Sequence, residues 1–260
     1  MDAGMKPSPI SVSLIAGAEE ARIGRTLASV AGWTSEVVVV LNHDVSDRTE
    51  AIAREAGARV YREPWKGFVG QKNASLEKTT LPWVLGLDCD EVVTPELRDQ
   101  IVAAVEGGGT FAAYSFPRKT WFGDRWILHG DWYPDRQTRL WKRDLARWGG
   151  AEPHAILQVD GVVGRLSGDL EHHSGESVEH HVRKALRYAE DFNADCQRRG
   201  RRVGGLDLVV RPPWRFLRSY VLKRGFLDGW AGFDIAWMSA FYTFLRYQRA
   251  HRERRRVDKS

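Results

Sequence analysis

The stretch Leu81-Pro82-Trp83-Val84-Leu85-Gly86-Leu87-Asp88-Cys89-Asp90-Glu91 constrains the chain most. Val84, Leu85 and Leu87 form a nearly continuous apolar run, the pattern of a strand buried on both faces because helices cover both sides of its sheet. Three acidic residues follow at once. Ligands of open α/β sheets bind beyond the carboxyl ends of the strands, so such a strand would deliver Asp88 and Asp90 to that edge. A hard divalent cation takes one or two protein carboxylates and completes its shell with water and phosphate oxygens, so an Asp-x-Asp turn can hold a metal that bridges to a diphosphate. Acidic residues after a strand also cap helices. Here Thr94-Pro95-Glu96 already reads as a helix start, with Thr94 as N-cap and Pro95 at the first helical position. On these residues alone both readings stay open.

The segments before it suit a parallel sheet. Ile10–Ile15 reads as a strand, Glu19–Val30 as a helix, Glu36–Leu41 as a Val-rich strand, Asp47–Ala56 as a helix and Ala58–Tyr61 as a short strand. Strand and helix in alternation imply right-handed crossovers. Gly67–Lys78 reads as a further helix whose start carries Gln71-Lys72-Asn73; unpaired N–H groups beside a lysine suit a phosphate, and equally describe an ordinary helix start. After a helix at Pro95–Val105, Gly107-Gly108-Gly109 marks a turn, Ala112–Pro117 a strand, Val159–Leu166 a hairpin and Val178–Cys196 a helix. Trp121–Trp148 is aromatic and polar with weak periodicity, as binding loops are.

The tail, Leu206–Tyr247, interleaves aromatic with basic residues from Trp214 to Arg224, after a break expected at Pro212-Pro213, and becomes almost wholly apolar from Ile235 to Leu245. That composition suits a helical extension lying in a bilayer interface. A helical pair packed on the domain or in a dimer has the same composition. Nucleic acid is not expected as a partner, because it has no need of the apolar neighbour. The net charge of +5 is concentrated after Arg183, and the two cysteines, Cys89 and Cys196, suggest no disulfide framework, as in a reducing cytoplasm. Neither a signal peptide nor an apolar run of spanning length is seen, so a soluble or peripheral protein is expected. The expected layout is a flexible 1–9, an α/β domain over 10–200 that changes character between 10–106 and 107–200, an amphipathic membrane-surface extension over 201–248, and a frayed charged tail over 249–260.

In this order the motifs resemble the family 2 glycosyltransferases of the GT-A fold, and within them the lipopolysaccharide core transferases of the WaaE/KdtX type. The residues that carry the likeness are Gly67-Phe68 with Gln71-Lys72-Asn73, Trp83-Val84-Leu85 with Asp88-Cys89-Asp90-Glu91, and His129-Gly130 with Trp132-Tyr133-Pro134-Asp135-Arg136-Gln137 and Arg139-Leu140. In the tail they are Arg211-Pro212 with Trp214-Arg215-Phe216, Arg224 to Gly229, and Ala240-Phe241-Tyr242. The likeness spans about Ile10 to Tyr247. It implies a mostly parallel, Rossmann-like sheet flanked by helices, and inverting transfer of a sugar from a nucleotide diphosphate to a glycolipid hydroxyl, assisted by Mg²⁺ or Mn²⁺, at the inner face of the plasma membrane. The implied donor-binding residues are Asn42, Asp47, Gln71, Lys72, Asn73 and Asp88, and the implied metal ligands Asp88, Asp90 and His154.

Three departures stand out. Ala16-Gly17-Ala18-Glu19-Glu20 replaces a Thr-x-Asn-Glu-Glu pattern, Asn42 replaces an Asp at the end of the second strand, and His154-Ala155 replaces a His-Glu pair that often supplies the acceptor base. Asp135 is then the favoured base, with Asp131 and Glu152 as alternatives. A nucleotidyltransferase or a non-catalytic scaffold on the same fold would be the competing functions.

Overall fold

Four parallel strands, β1 (Ser8–Ala16), β2 (Thr34–Asn42), β3 (Arg59–Glu63) and β4 (Trp83–Leu87), alternate with α1 (Ile23–Val30), α2 (Thr49–Glu55) and α3 (Gly67–Glu77). The computed structural model describes residues 6–152, 154–174, 178–201 and 203–257 and, within these, every side chain except those of 154, 178–185, 187, 188 and 254–257. Every residue of β4 is buried, as its uninterrupted apolar run requires. Gly86 in its middle is needed by its neighbours: a Cβ there would lie 2.5 Å from the Trp141 ring.

Beyond β4 come β5 (Glu91–Val93) and α4 (Pro95–Glu106), followed by β6 (Ala113–Phe122), β7 (Arg125–Ile127) and β8 (Asp135–Lys142). The expected cap of α4 is present: Thr94 Oγ1 accepts from the Leu97 N–H at 3.2 Å, with Pro95 in the first turn. Then come β9 (Ala146–Ala151), β10 (His154–Val159), β11 (Val163–Arg165) and β12 (Leu170–His172). The main sheet runs β3-β2-β1-β4-β8-β6-β12-β5, mostly parallel on the β3 side and mixed beyond β4. Because the chain steps outward from β1 to β3 and then returns to β1's other edge for β4, strand order reverses between β1 and β4, where α/β sheets open a crevice at their carboxyl ends. Ile10, Val12, Leu14, Leu85, Leu97, Phe116 and Leu140, all buried, fill the space between sheet and helices.

The hairpin expected at 159–166 does not form. β10 pairs antiparallel with β9 in a separate two-stranded sheet, whereas β11 joins β6 in parallel, and Gly161 between them (φ 131°) lies where the chain passes from one sheet to the other.

By packing, residues up to Arg118 together with Arg136–His173 form one unit, and Lys119–Asp135 with the residues from Ser174 onward form a second. The boundary expected at residue 200 therefore falls earlier. α5 (Val178–Arg198) belongs with the tail because Phe192 and Cys196 pack against Tyr247 and Ala250 of α7 (Gly229–Val257). Pro212 and Pro213 do not break α6 (Gly205–Leu217). Two N–H donors are lost and each ring crowds the carbonyl four residues back, but proline's fixed φ is helical and Phe216 beyond them packs on Phe233 and Trp237 of α7. The segment after Arg249, expected to fray, continues α7 to Val257.

The link from α6 to α7 is a π-helical turn at Arg218–Leu222 and a 3-10 turn at Gly225–Asp228, folded tightly onto the start of α7. A Cβ at Gly232 would lie 1.8 Å from the Gly225 carbonyl oxygen. Gly232→Ala must therefore displace backbone, and we expect it to destabilise the second unit by about 1–3 kcal/mol or more in urea unfolding, a large penalty for one methyl group.

Candidate active site

β4 ends at Leu87, and Asp88, Cys89 and Asp90 form the turn that follows it, with Cys89 buried. Cys89 Sγ lies 3.3 Å from the Ile15 carbonyl oxygen, and burial pushes its thiol pKa well up, which makes it an inert core residue.

Asp88 is gripped by two cations. Lys72 Nζ, reaching from α3, donates to its Oδ1 at 2.6 Å, and Arg139 Nη2, from β8, donates to its Oδ2. The same Arg139 nitrogen lies 2.7 Å from Glu91 Oε1, and Arg118 Nη1 lies 2.8 Å from that oxygen. The Asp88 backbone N–H donates to Glu91 Oε2 at 3.0 Å, so the fully buried Glu91 carboxylate is satisfied on both oxygens. β8 brings Arg139 here because it runs antiparallel to β4, with Leu140 opposite Leu85. Burial opposes ionisation of Asp88, but Arg139 and then Lys72 outweigh it and hold the carboxyl far below the usual carboxylate range. Burial likewise opposes the charge on Arg139, and Asp88 with Glu91 more than restores it. Lys72 is further fixed by lying 4.6 Å from the Trp148 ring centroid.

Asp90 has different company. Its Oδ2 lies 3.4 Å from His172 Nε2 and 3.9 Å from Arg22 Nη1, and Arg22 in turn pairs with Glu19 at 2.6 Å. Burial works against the Asp90 charge; the hydrogen bond and charge of His172 outweigh it and hold the pKa below its ordinary value.

This geometry corrects the sequence reading of the metal ligands. Both Asp88 oxygens are engaged by cations that would repel a divalent ion, so Asp88 is not placed as a ligand. Asp90 and His172 do fit one: a hard carboxylate oxygen beside an imidazole nitrogen, both partly exposed, leaves the remaining positions to water and phosphate. Among the described residues no three His, Cys, Asp or Glu side chains converge, so a cation here would depend on its substrate for much of its shell. His154 lies in β10, and its side chain is outside those described.

The other expected residues divide. Gln71 Nε2 donates to Asn42 Oδ1 at 3.2 Å, and among the described residues the buried Gln71 Oε1 has no partner, an acceptor that a base N–H would satisfy. Asn73 is structural: its amide bonds both the carbonyl and the N–H of Trp148, at 2.9 and 3.0 Å. Asp47 is structural too, accepting from the Thr49 and Glu20 N–H groups and so tying the β2–α2 loop to the β1–α1 loop. The start of α3 is not open to phosphate. Glu152 occupies it, accepting from the Phe68 and Val69 N–H groups at 2.9 and 2.8 Å, which also removes Glu152 as a base. In the second unit the Asp131 side chain is buried and ion-paired with Arg215 (3.0 Å) and Lys223 (2.8 Å). Asp135 opens β8 and keeps its own contacts.

Arg139, Glu91, Arg118, Arg22 and His172 had no role assigned from sequence. The only signal was indirect: a third carboxylate next to Asp-x-Asp on a buried strand demands a cation from somewhere.

Arg139→Met tests the cluster. It removes the cation that Asp88 and the buried Glu91 share and leaves each with one other, Lys72 and Arg118, and we expect a loss of about 1–3 kcal/mol at pH 7 in denaturant unfolding. A depressed carboxylate stabilises the fold above its unfolded pKa of about 3.9, and that stability fades as pH falls toward the native value. The wild type should therefore lose stability steeply below about pH 4, and the variant less steeply, so the gap between them should narrow in acid.

With this geometry in hand, the family model for glycosyl transferase family 2 matches residues 11–158. An uncharacterized glycosyltransferase of Rickettsia prowazekii (strain Madrid E) is 31% identical over 254 residues, covering 91% of this chain and 85% of that protein. The lipopolysaccharide core biosynthesis glycosyltransferase LpsC of Rhizobium meliloti (strain 1021) is 28% identical over 245 residues, covering 91% and 90%. Among solved structures, S. aureus TarS 1–349 in complex with UDP is similar at 14% identity and a TM-score of 0.47, covering 95% of this chain and 91% of that one, a likeness too loose to transfer ligand positions. A sheet that reverses between β1 and β4, with its acidic turn at the crevice, carries the matched family segment throughout, and the chain belongs to glycosyl transferase family 2, with the GT-A fold.

Proposed function

We propose that the chain transfers a sugar, with inversion, from a nucleotide diphosphate donor to a hydroxyl of a lipopolysaccharide-type glycolipid at the inner face of the plasma membrane. The observation that carries this reading is the charge arrangement beyond β4. Two cations, Lys72 and Arg139, stand beside an Asp90–His172 pair at the carboxyl end of the sheet. The departing diphosphate gains negative charge, and preorganised cations stabilise it more than water can. The relation to LpsC supports the acceptor class.

Asn42 and Gln71 receive the base, the unpartnered Gln71 Oε1 taking one of its N–H groups. Lys72, held near the crevice by Asp88 and Trp148, turns its ammonium to the diphosphate, and Asp88 keeps Arg139 fixed while it does so. When bound by Asp90 and His172, a divalent cation would supply Lewis-acid stabilisation of the leaving group. With Asp131 and Glu152 engaged elsewhere, Asp135 is the carboxylate assigned to take the acceptor proton.

The lipid side of the reading rests on the second unit. Leu206, Val209, Leu222, Leu227, Trp230 and Trp237 are all more than half exposed, among arginines and lysines. Among the described residues no helix is long and apolar enough to cross a membrane, so the contact is with the surface.

A panel of nucleotide sugars, each assayed for release of nucleotide diphosphate with and without Mg²⁺ or Mn²⁺, tests the reading. Asp90→Asn should lower turnover by about 100-fold or more and weaken the metal's apparent affinity, while the fold by circular dichroism stays intact. Equal turnover in wild type and variant would remove the metal assignment, and no turnover with any donor would remove the transfer reading.

A further inference from the structure

α6 and α7 enclose a groove of about 1010 Å³, lined by Leu208, Val209, Pro212, Pro213, Trp214, Phe216 and Leu217 on one wall and by Trp237, Ala240, Phe241 and Phe244 on the other. This is at the top of the range of about 300–1,000 Å³ usual for small-molecule sites, yet no charged side chain lines it and its only side-chain polar groups are the indole N–H groups of Trp214 and Trp237. A flat apolar patch would rest on a bilayer surface. A concave one needs something narrow to fill it.

The charges show which end of the occupant is polar. α6 and α7 run antiparallel, with Phe216 against Trp237, so the link between them lies at the Leu217 end of the groove. Arg218 follows Leu217 directly, and Arg224 stands in the link; among the described residues neither guanidinium is in an ion pair or hydrogen bond. Nearby Arg215 and Lys223 share one carboxylate, Asp131, leaving a surplus of positive charge. Arg224 is also held in left-handed backbone (φ 57°), where glycine would be easier, so its side chain is kept at a conformational cost. Toward the other end, Arg211 is neutralised by Asp207. The occupant is therefore apolar along its length and anionic at the Arg218–Arg224 end. A second copy of this chain would have to present an apolar helix flanked by surplus carboxylates, and the exposed faces of α6 and α7 carry surplus cations.

We propose that this groove binds one hydrocarbon chain of a phosphate-bearing lipid, with Arg218 and Arg224 receiving the phosphate. The proposal rests on the lipid-surface reading above and goes further, because it requires a chain to leave the bilayer plane and enter the protein. It makes the second unit a lipid-recognising module rather than a passive anchor.

The test uses a monomeric lysophosphatidylglycerol with a brominated chain, titrated into the full chain in solution while quenching of Trp214 and Trp237 is followed. Saturable quenching is expected. Phe241→Glu, at an exposed position on the groove wall, should weaken binding at least 10-fold while thermal unfolding is unchanged. Arg218→Ser with Arg224→Ser should weaken the phospholipid about 10-fold and leave a brominated monoacylglycerol unaffected. Non-saturable quenching, or equal affinity in Phe241→Glu, would overturn the chain site; so would sedimentation showing a dimer through this face that lipid does not compete away. Equal loss for both probes in the arginine variant would overturn the phosphate assignment. Donor hydrolysis by the wild type, measured alongside without lipid, reports separately on the transfer reading.

Discussion

One buried guanidinium holds the end of β4 together. Arg139 joins Asp88, on the crevice, to Glu91, in the interior, and through Asp88 it is tied to Lys72 on α3. Without it the two carboxylates would lose the one cation they share, leaving Lys72 on Asp88 and Arg118 on Glu91. A buried cluster of this kind adds little net stability over a well-packed apolar one, because desolvation offsets most of the Coulomb attraction. Its value lies in geometry. A guanidinium fixed between two carboxylates is preorganised, the property by which electrostatic sites gain over water.

The same principle explains the contrast between Asp88 and Asp90. They sit one residue apart in one turn, yet one is bonded by two strong cations and the other faces a histidine and a more distant arginine. An Asp-x-Asp turn thus divides its labour according to what the surrounding elements bring to each carboxylate.

The second unit shows the opposite economy. Its interior is small, built from clusters such as Ile127 with Ala231 and Ile235, and Cys196 with Tyr247, while many of its largest apolar side chains face outward. Exposed apolar area on this scale is unfavourable in water and marks a surface made for a partner.

Much of the fold was legible in the chain itself. The apolar runs of β1, β2 and β4, the Thr94-Pro95 cap and the position of the acidic turn follow from local periodicity and capping chemistry, which act over a few residues. The partners of the charged groups did not follow. Arg139 lies 51 residues from Asp88, Glu152 84 residues from the Phe68 N–H it accepts, and β11 slips beside β6 rather than pairing with β10. Local pattern decides which residues are strand, helix or turn, because backbone hydrogen bonding and side-chain alternation are short-ranged. Which carboxylate meets which cation depends on how distant elements are brought into register, and only the packed tertiary structure decides that.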